Sequence, residues 1–247
     1  MAFDALGALG ERADRAGVFL DFDGSLSAIV PHPDEAHPVA GAREALAALV
    51  PRFRVVAVVS GREAEDVEAR LAVPGVLCVG LYGMQDAAPD LSHALLPAVI
   101  RAASGVPEAW VEDKRVSLAV HYRRAPDPVV ARAALSSALR PIVAGRGLAL
   151  VEGKMVIELV PADRPMKGGT LKRLVEQHGL EAALFAGDDV ADLDAFAALD
   201  DLRARGLRAV KVAVRGPETP DALTAASDVG VDGPEGLVEL LRSLGSD

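Results

Sequence analysis

The chain has 247 residues with 36 acidic and 26 basic side chains, which give a formal net charge of −10 at pH 7. Such an acidic balance argues against nucleic acid or an anionic membrane as the main partner. Hydrophobic residues make up 51% and charged residues 25%, which is the composition of a soluble globular protein, and the length favours a core with an inserted domain.

The first predicted element is a short apolar strand over residues 17–20, which ends at the acids Asp21 and Asp23. Carboxylates at the carboxyl end of a buried strand lie where open α/β sheets form their ligand crevice. Two acids spaced i, i+2 are costly to hold together unless a cation or a proton occupies the site. Taken alone, the stretch is equally consistent with a strand followed by an Asp-Gly turn.

The same arrangement recurs along the chain. A second apolar run over residues 55–59 ends at Ser60, and a third over residues 184–187 ends at Asp188. Between them, Lys167 opens an amphipathic stretch that continues to residue 178. If these strands are parallel, their carboxyl ends bring the acids, the hydroxyl and the lysine to one edge of one sheet.

The remaining elements divide the chain into two α/β parts. The core, residues 1–85 and 165–247, has predicted strands at Val18, Val55, Val76, Ala182, Val210 and Val229 and helices over residues 43–49, 64–71, 167–178 and 192–199. This alternation predicts a doubly wound sheet. The cap, residues 86–164, has predicted helices over residues 91–103 and 129–139 and strands over residues 117–122, 148–151 and 155–160. Residues 87–89 and 161–165 contain proline and are the predicted hinges.

The residues at the strand ends suit transfer of a phosphoryl group. Mg²⁺ prefers carboxylate oxygens, water and a substrate phosphate oxygen, so Asp21 and Asp188 are its predicted ligands, with the backbone carbonyl of Asp23 as a third. Lys167 and Ser60 are predicted to bind other phosphoryl oxygens. Asp21 is the predicted nucleophile that forms an aspartyl-phosphate. Asp23 is the predicted acid that protonates the leaving alcohol and then deprotonates water.

The order Asp-x-Asp-Gly-Ser, a strand ending in Ser, Lys-Gly and Gly-Asp-Asp-x-x-Asp resembles the haloacid dehalogenase superfamily of phosphatases. The resemblance implies an α/β fold with a Rossmann-like core around a parallel sheet and an inserted α/β cap of the C2 type. It also implies a Mg²⁺ cofactor, an aspartyl-phosphate intermediate and the roles just given. The further residues that it implies are Gly61 beside the phosphate and Ser25, Arg62, Asp189 and Asp192 in support.

Residues 112–158 resemble the cap of the trehalose-6-phosphate phosphatase family, and residues 19–34 and 187–196 resemble its core. The resemblance implies that polar side chains of the cap bind the sugar of a small-molecule sugar phosphate. These side chains are Glu112, Lys114, His121, Arg123, Lys154 and Glu158. Cations and carboxylates on a lid can give a polyhydroxylated sugar directional hydrogen bonds. The alternative is that they form an ordinary solvated strand face.

Several positions depart from the pattern of that family. The departures are Leu81, Tyr82, Met166, Ala191 and Leu193, where the family usually has Ser, His, an acid, Thr and Glu. Trehalose 6-phosphate is the predicted substrate, and another sugar phosphate or a trehalose-like pseudo-disaccharide phosphate is the alternative. A non-catalytic sugar-phosphate sensor and a phosphotransferase are further alternatives, although binding alone does not need the general acid Asp23.

The chain gives few signals of compartment or assembly. Cys78 is the single cysteine, so no intramolecular disulfide is possible, and its apolar surroundings predict a buried thiol. The first residues carry charges at Asp4, Glu11 and Asp14 and lack an apolar leader segment. We therefore expect a cytoplasmic protein without a signal peptide, and we expect it to act as a monomer.

Overall fold

The structure, a computed structural model, describes residues 6–7, 9–84, 90–164 and 166–245. The chain divides into two compact units. The core unit consists of Met1–Gly83 and Pro165–Asp247, and the cap unit consists of Met84–Arg164. Among the described residues, no helix is both long enough and apolar enough to cross a membrane.

The strands and helices follow one another in the alternating order of an α/β protein. The strands are β1 Ala16–Leu20, β2 Val55–Val59, β3 Leu77–Val79, β4 Trp110–Asp113, β5 Leu118–His121, β6 Leu148–Gly153, β7 Val156–Pro161, β8 Ala182–Gly187, β9 Arg208–Arg215 and β10 Val229–Asp232. The helices are α1 Ala42–Leu49, α2 Ala64–Leu71, α3 Ser92–Ala103, α4 Pro128–Val143, α5 Lys167–His178, α6 Asp192–Ala204, α7 Asp221–Ala226 and α8 Gly233–Gly245.

The core unit is built on a parallel sheet with the strand order β10-β9-β8-β1-β2-β3. Leu20 of β1 lies between Val58 of β2 and Ala186 of β8, so three strand ends lie side by side. Every residue of β1, β2 and β8 is buried, because helices cover the sheet on both faces. This arrangement confirms the predicted doubly wound parallel sheet.

Side chains of successive β1 residues enter two different hydrophobic clusters. Val18 and Leu20 pack with apolar residues of α1, α2 and α8, whereas Phe19 packs with those of α5 and α6. Full burial of a large apolar side chain such as Phe19 stabilises the fold by about 1.5–3 kcal/mol. Packing on both faces of the sheet therefore fixes the central strands, and it also fixes the backbone of the residues that directly follow them.

The cap unit contains a four-stranded antiparallel sheet with the order β4-β5-β7-β6. Leu118 and Val120 of β5 pack with α3 and α4 in one hydrophobic cluster. Because side chains alternate along a strand, Ala119 and His121 belong to the opposite face of the sheet. Helix α4 begins at an N-cap, Asp127, whose carboxylate accepts hydrogen bonds from the amides of Val129 and Val130, both at 3.0 Å.

Some sequence predictions of local structure were incomplete. Strand β4 and helices α7 and α8 were not predicted. Helix α4 extends beyond the predicted residues 129–139 and continues through Pro141, because a proline near the helix end removes only one hydrogen bond. The proposed hinge residues 87–89 and Pro165 lie outside the described residues. Cys78 is half-buried and not fully buried as predicted, because β3 is an edge strand of the sheet formed by the described residues. Its partial burial raises the pKa of the thiol to about 11.

Candidate active site

The candidate site lies at the carboxyl ends of β1, β2 and β8. Asp21 follows β1, Ser60 follows β2 and Asp188 follows β8, and all three side chains are buried. The amide of Asp21 donates to the carbonyl of Ala186 at 2.9 Å, which extends the pairing of β1 and β8 by one residue. The structure thus confirms the predicted parallel strands and brings their terminal residues to one sheet edge.

Three carboxylates meet at this edge. Ligand oxygens of Asp21, Asp188 and Asp192 lie within 4.8 Å of one another, and all three residues are buried. Lys167, at the start of α5, places its Nζ 2.7 Å from Asp21 Oδ1 and 2.6 Å from Asp192 Oδ1. Lys167 therefore pairs with two of these three buried acids.

The surroundings shift the pKa values of both Asp21 and Lys167, which form an ion pair. Burial raises the pKa of Asp21 well above its ordinary value; Lys167 counteracts this effect, and the charges of Asp192 and Asp188 reinforce it. Burial alone would lower the pKa of Lys167, but the charges of Asp192 and Asp21 outweigh it and hold that pKa well above its ordinary value. Lys167 is therefore a permanent cation at neutral pH.

Asp192 organises the loop that carries Asp188. Its Oδ2 accepts hydrogen bonds from the amides of Asp188 and Asp189, both at 2.9 Å, and its Oδ1 binds Lys167. The side chain of Asp189 accepts a 2.6 Å hydrogen bond from the amide of Val190. Both oxygens of Asp192 therefore bind neighbouring groups, and this residue joins the Asp188 loop to Lys167.

Gly24 and Ser25 shape the space around Asp188. Gly24 has φ +87°, and a Cβ at this position would lie 2.0 Å from Asp188 Oδ2. Only glycine combines this left-handed backbone with so close an approach of a carboxylate. The hydroxyl of the buried Ser25 donates to Asp188 Oδ1 at 3.4 Å.

The turn after β2 carries Ser60 and Gly61 and is covered by Tyr82. Ser60 Oγ accepts a hydrogen bond from the amide of Arg62 at 3.2 Å. A Cβ on Gly61 would lie 2.7 Å from Tyr82 Oη, so the phenol rests directly on the glycine. Leu81 and Tyr82 both have positive φ, at a cost of about 1–2 kcal/mol for each residue. Hydrogen bonds from the Tyr82 amide to Ser60 and from the Thr170 hydroxyl to the Tyr82 carbonyl hold this backbone in place.

The side chain of Asp23 faces Arg62 instead of the carboxylate cluster. Arg62 Nε lies 2.7 Å from Asp23 Oδ2, and Arg62 Nη2 lies 2.8 Å from Asp23 Oδ1. This bidentate pair fixes the plane of the carboxylate. The Asp23 side chain is 36% exposed, so it borders solvent, whereas Asp21 is buried.

In the cap unit, the structure gathers four of the six predicted sugar-binding residues on the sheet face opposite the helices. Glu112 Oε2 lies 2.8 Å from His121 Nε2, and Lys114 Nζ lies 3.3 Å from Glu158 Oε1. Glu112 on β4 and Glu158 on β7 both pair in register with the small residue Ala119 of β5, which separates them. We call Glu112, Lys114, His121 and Glu158 the cap cluster. Arg123 instead donates to the backbone carbonyl of Lys154 at 3.1 Å.

Sequence reasoning missed several residues that contact these groups. Trp110 stacks on His121 with ring centroids 4.2 Å apart, and Ser117 Oγ donates to Glu158 at 2.7 Å. Asp194 accepts a 2.6 Å hydrogen bond from the amide of Gly168 and so holds the first turn of α5, which carries Lys167. Positions 110, 112 and 114 alternate as in a strand, a signal that could have revealed Trp110.

The fold and the acids at its sheet edge define a class of protein. Among solved structures, a haloacid dehalogenase-like hydrolase from Bacteroides thetaiotaomicron superposes with a TM-score of 0.64 at 14% identity, over 93% of this chain and 99% of that chain. The C-terminal domain of trehalose-6-phosphate phosphatase from C. albicans superposes with a TM-score of 0.83 at 22% identity, over 99% of this chain and 96% of that chain. The chain therefore has the haloacid dehalogenase-like fold.

Sequence comparison narrows the class. A model of the trehalose-phosphatase family matches residues 19–229. A trehalose-phosphate phosphatase of Mycobacterium avium (strain 104) is 37% identical over 257 aligned residues, which cover 96% of this chain. The chain belongs to the trehalose-phosphatase family. It spans 64% of the length of that mycobacterial relative.

Proposed function

We propose that the chain is a phosphatase that hydrolyses trehalose 6-phosphate to trehalose and phosphate through an aspartyl-phosphate intermediate. The observation that carries this proposal is the buried Asp21 carboxylate, which lies 2.7 Å from the Lys167 ammonium at the edge of a parallel sheet. A carboxylate in that position can attack phosphorus while the lysine binds a phosphoryl oxygen. Membership of the trehalose-phosphatase family supports the choice of sugar.

The buried acids also fit a divalent cation. Ligand oxygens of Asp21, Asp188 and Asp192 lie within 4.8 Å of one another, and the negative charges of Asp188 and Asp192 help to raise the pKa of Asp21, so a bound cation would offset repulsion within the cluster. Mg²⁺ takes such oxygen ligands, and when bound it neutralises charge on the phosphate. We propose that Asp21, Asp188 and the backbone carbonyl of Asp23 hold it, and that Asp192 orients the Asp188 loop and Lys167.

The reaction has two displacements at phosphorus. In the first, an Asp21 oxygen attacks phosphorus, the bond from phosphorus to the sugar oxygen breaks, and that oxygen takes a proton from Asp23. In the second, Asp23 takes a proton from water while the water oxygen attacks phosphorus, and the bond to Asp21 breaks to release phosphate. Lys167, Ser60 and the Gly61 loop are proposed to hold the phosphoryl oxygens in both steps.

The cap cluster is the proposed sugar-binding surface. Its charged and polar groups pair with one another at 2.8 and 3.3 Å, and an arriving sugar hydroxyl can both donate to a carboxylate and accept from the Lys114 ammonium. The stacked Trp110 and His121 add a flat apolar border. Arg123 and Lys154 remain proposed contacts of the same substrate. We also propose that the protein acts as a cytoplasmic monomer on this small molecule, with no nucleic acid or membrane partner.

A different sugar phosphate is the second candidate. The observation that favours it is the left-handed Leu81–Tyr82 pair, which places a phenol against Gly61 where the family usually has a smaller polar pair. A phosphate-release screen over sugar phosphates in Mg²⁺ separates the two candidates. The highest kcat/KM for trehalose 6-phosphate supports the first candidate, and a higher value for another sugar phosphate supports the second. Release from none of them would contradict both and favour a sensor.

Substitutions in the cap cluster are expected to separate binding of the sugar from the chemistry on phosphate. Lys114→Ala, His121→Ala and Glu158→Ala should each lower kcat/KM for the true sugar phosphate. The corresponding loss of transition-state stabilisation should be about 1–3 kcal/mol for each variant, because a polar partner is lost or left unpaired. Hydrolysis of p-nitrophenyl phosphate should change much less, because this substrate lacks the sugar. Steady-state kinetics on both substrates measure the difference.

Arg101→Ala is the matched control, since Arg101 is an exposed cation of α3 in the same unit. It should leave both substrates unchanged. If the cap-cluster variants lost activity equally on both substrates, these residues would support the fold, and the assignment of a disaccharide substrate would lose its main local support.

Gly24→Ala is expected to weaken the use of Mg²⁺. The new Cβ would lie 2.0 Å from Asp188 Oδ2 and must displace that carboxylate. We expect the Mg²⁺ concentration for half-maximal phosphate release to rise by about 10–100-fold, the usual effect of disturbing the support of a metal ligand. A magnesium titration of phosphate release gives this value.

Gly206→Ala is the control for the backbone strain in that experiment. Gly206 has φ +104°, close to that of Gly24, but a Cβ there would have nothing within 4 Å. Both variants should lose some thermal stability, and only Gly24→Ala should shift the magnesium titration. An equal shift in both variants would show that strain, and not the contact with Asp188, is responsible.

A further inference from the structure

Asp66 lies outside every motif described above, on the first turn of α2 and four residues after Arg62. Arg62 Nη1 donates to Asp66 Oδ2 at 2.9 Å. Arg70, one turn further along α2, directs its Nε at both oxygens of the same carboxylate, at 2.8 and 2.9 Å. Asp66 is therefore held between two arginines, although among the described residues its side chain hydrogen-bonds to none of the proposed phosphate ligands.

Arg62 connects Asp66 to the proposed general acid. The Nε and Nη2 groups of Arg62 bind the two oxygens of Asp23, and Nη2 also donates to the carbonyl of Pro33 at 2.9 Å. Nη1 is directed at Asp66, on the other side of the guanidinium. Because a guanidinium is planar and rigid, the orientation that Asp66 imposes on it also sets the position of the Asp23 carboxylate.

The far end of this chain of charges is anchored to the backbone. Arg70 Nη1 donates to the carbonyl of Ala36 at 2.6 Å and to that of Asp34 at 3.1 Å. Arg62 and Arg70 are only 12% and 13% exposed, so both are held among packed atoms. Burial alone would raise the pKa of Asp66, but hydrogen bonds from Arg70 and Arg62 outweigh it and lower that pKa. Asp66 therefore stays ionised between its two partners.

We propose that Asp66 is a positioning residue for Asp23 and acts through Arg62. The inference rests on the proposed function, in which Asp23 gives a proton to the leaving sugar oxygen. Asp23 is partly exposed and borders solvent, so without a fixed Arg62 its carboxylate can adopt other rotamers. Proton transfer needs the acid within hydrogen-bond reach of the leaving oxygen, and a small displacement slows the reaction strongly.

The dependence of the rate on the leaving group tests this role. A sugar alkoxide needs a proton to depart, whereas p-nitrophenolate leaves without one, and kcat/KM reports this first displacement. Asp66→Ala should lower kcat/KM for the sugar phosphate by about 10–100-fold and change that for p-nitrophenyl phosphate by no more than about twofold. Asp23→Asn should show the same selectivity with a larger loss. The double variant should be no slower than Asp23→Asn alone, because both changes remove the same proton transfer.

Two further variants make the result decisive. Glu68→Ala removes an exposed acid of the same helix outside this chain of charges and should behave as wild type. Asp66→Asn keeps the shape of the side chain and one acceptor, so it should give a smaller, equally selective loss and replaces Asp66→Ala if that variant does not fold.

Other outcomes would contradict either the positioning role of Asp66 or the proposed function. Equal losses on both substrates, or a double variant slower than Asp23→Asn by the full factor of Asp66→Ala, would overturn the positioning role alone. A wild-type chain that releases phosphate from neither substrate would overturn the proposed function and this inference with it.

Discussion

Phosphate release by the Asp21→Asn variant is expected to fall by several orders of magnitude, while the fold is retained. An amide is a poor nucleophile toward phosphorus and a poorer ligand for Mg²⁺ than a carboxylate, so the first displacement cannot proceed at a useful rate. The neighbouring ion pair between Lys167 and Asp192, at 2.6 Å, does not depend on Asp21 and should keep the site folded. Steady-state assays and thermal unfolding of the same sample measure the two effects.

The direction of the change in stability is also predicted. Burial raises the folded-state pKa of Asp21 above its ordinary value, so at pH 7 in EDTA its ionised form costs folding free energy. The neutral amide removes that cost, and the Tm of Asp21→Asn in EDTA should equal or exceed that of wild type. Asp14→Asn, at an exposed acid, should retain full activity. Wild-type-like phosphate release by well-folded Asp21→Asn would rule out the aspartyl-phosphate mechanism.

Removal of divalent metal is the second change with a large expected effect. Activity should be lost in EDTA, return with Mg²⁺ and be inhibited by excess Ca²⁺. Ca²⁺ accepts more ligands at longer distances, so a carboxylate can bind it through both oxygens and no longer point at phosphorus. Titrations of phosphate release with each ion measure these effects.

Asp188→Asn provides the matched test of where the metal binds. Mg²⁺ that binds only the folded chain should raise the free energy of unfolding of wild type by about 2.7 kcal/mol at a Mg²⁺ concentration one hundred times the Kd, and the Tm should rise with it. The same concentration should raise the Tm of Asp188→Asn much less, and the variant should need more Mg²⁺ for activity. Full activity in chelator, or equal thermal shifts in both chains, would contradict the proposed role of Asp188.

Local sequence patterns were sufficient to predict the parallel core sheet. The runs that became β1, β2 and β8 are short and apolar, so their burial follows from composition, and the alternation of strands with helices predicts that they run parallel. Parallel pairing then places Asp21, Ser60 and Asp188 at one edge without further information. The core helices α1 and α2 were likewise predicted to within one residue.

The contacts inside the site could not be predicted in the same way, because they join distant parts of the chain. Lys167 and Asp192 are 25 residues apart, and Arg62 and Asp23 are 39 apart. Strand β4 was missed because it is only four residues long, partly exposed and ends in two acids, which are uncommon in strands. Antiparallel pairing with β5 holds these residues in a strand, which their own sequence does not indicate.

In the proposed mechanism, Asp21 is phosphorylated during turnover of trehalose 6-phosphate. Borohydride reduces an aspartyl-phosphate to homoserine, so wild-type chain quenched with borohydride during turnover can be digested and the peptides identified by mass spectrometry. We expect homoserine at position 21, dependent on substrate and absent in Asp21→Asn. Turnover of trehalose 6-phosphate with unmodified Asp21, or with homoserine at another acid, would contradict this mechanism.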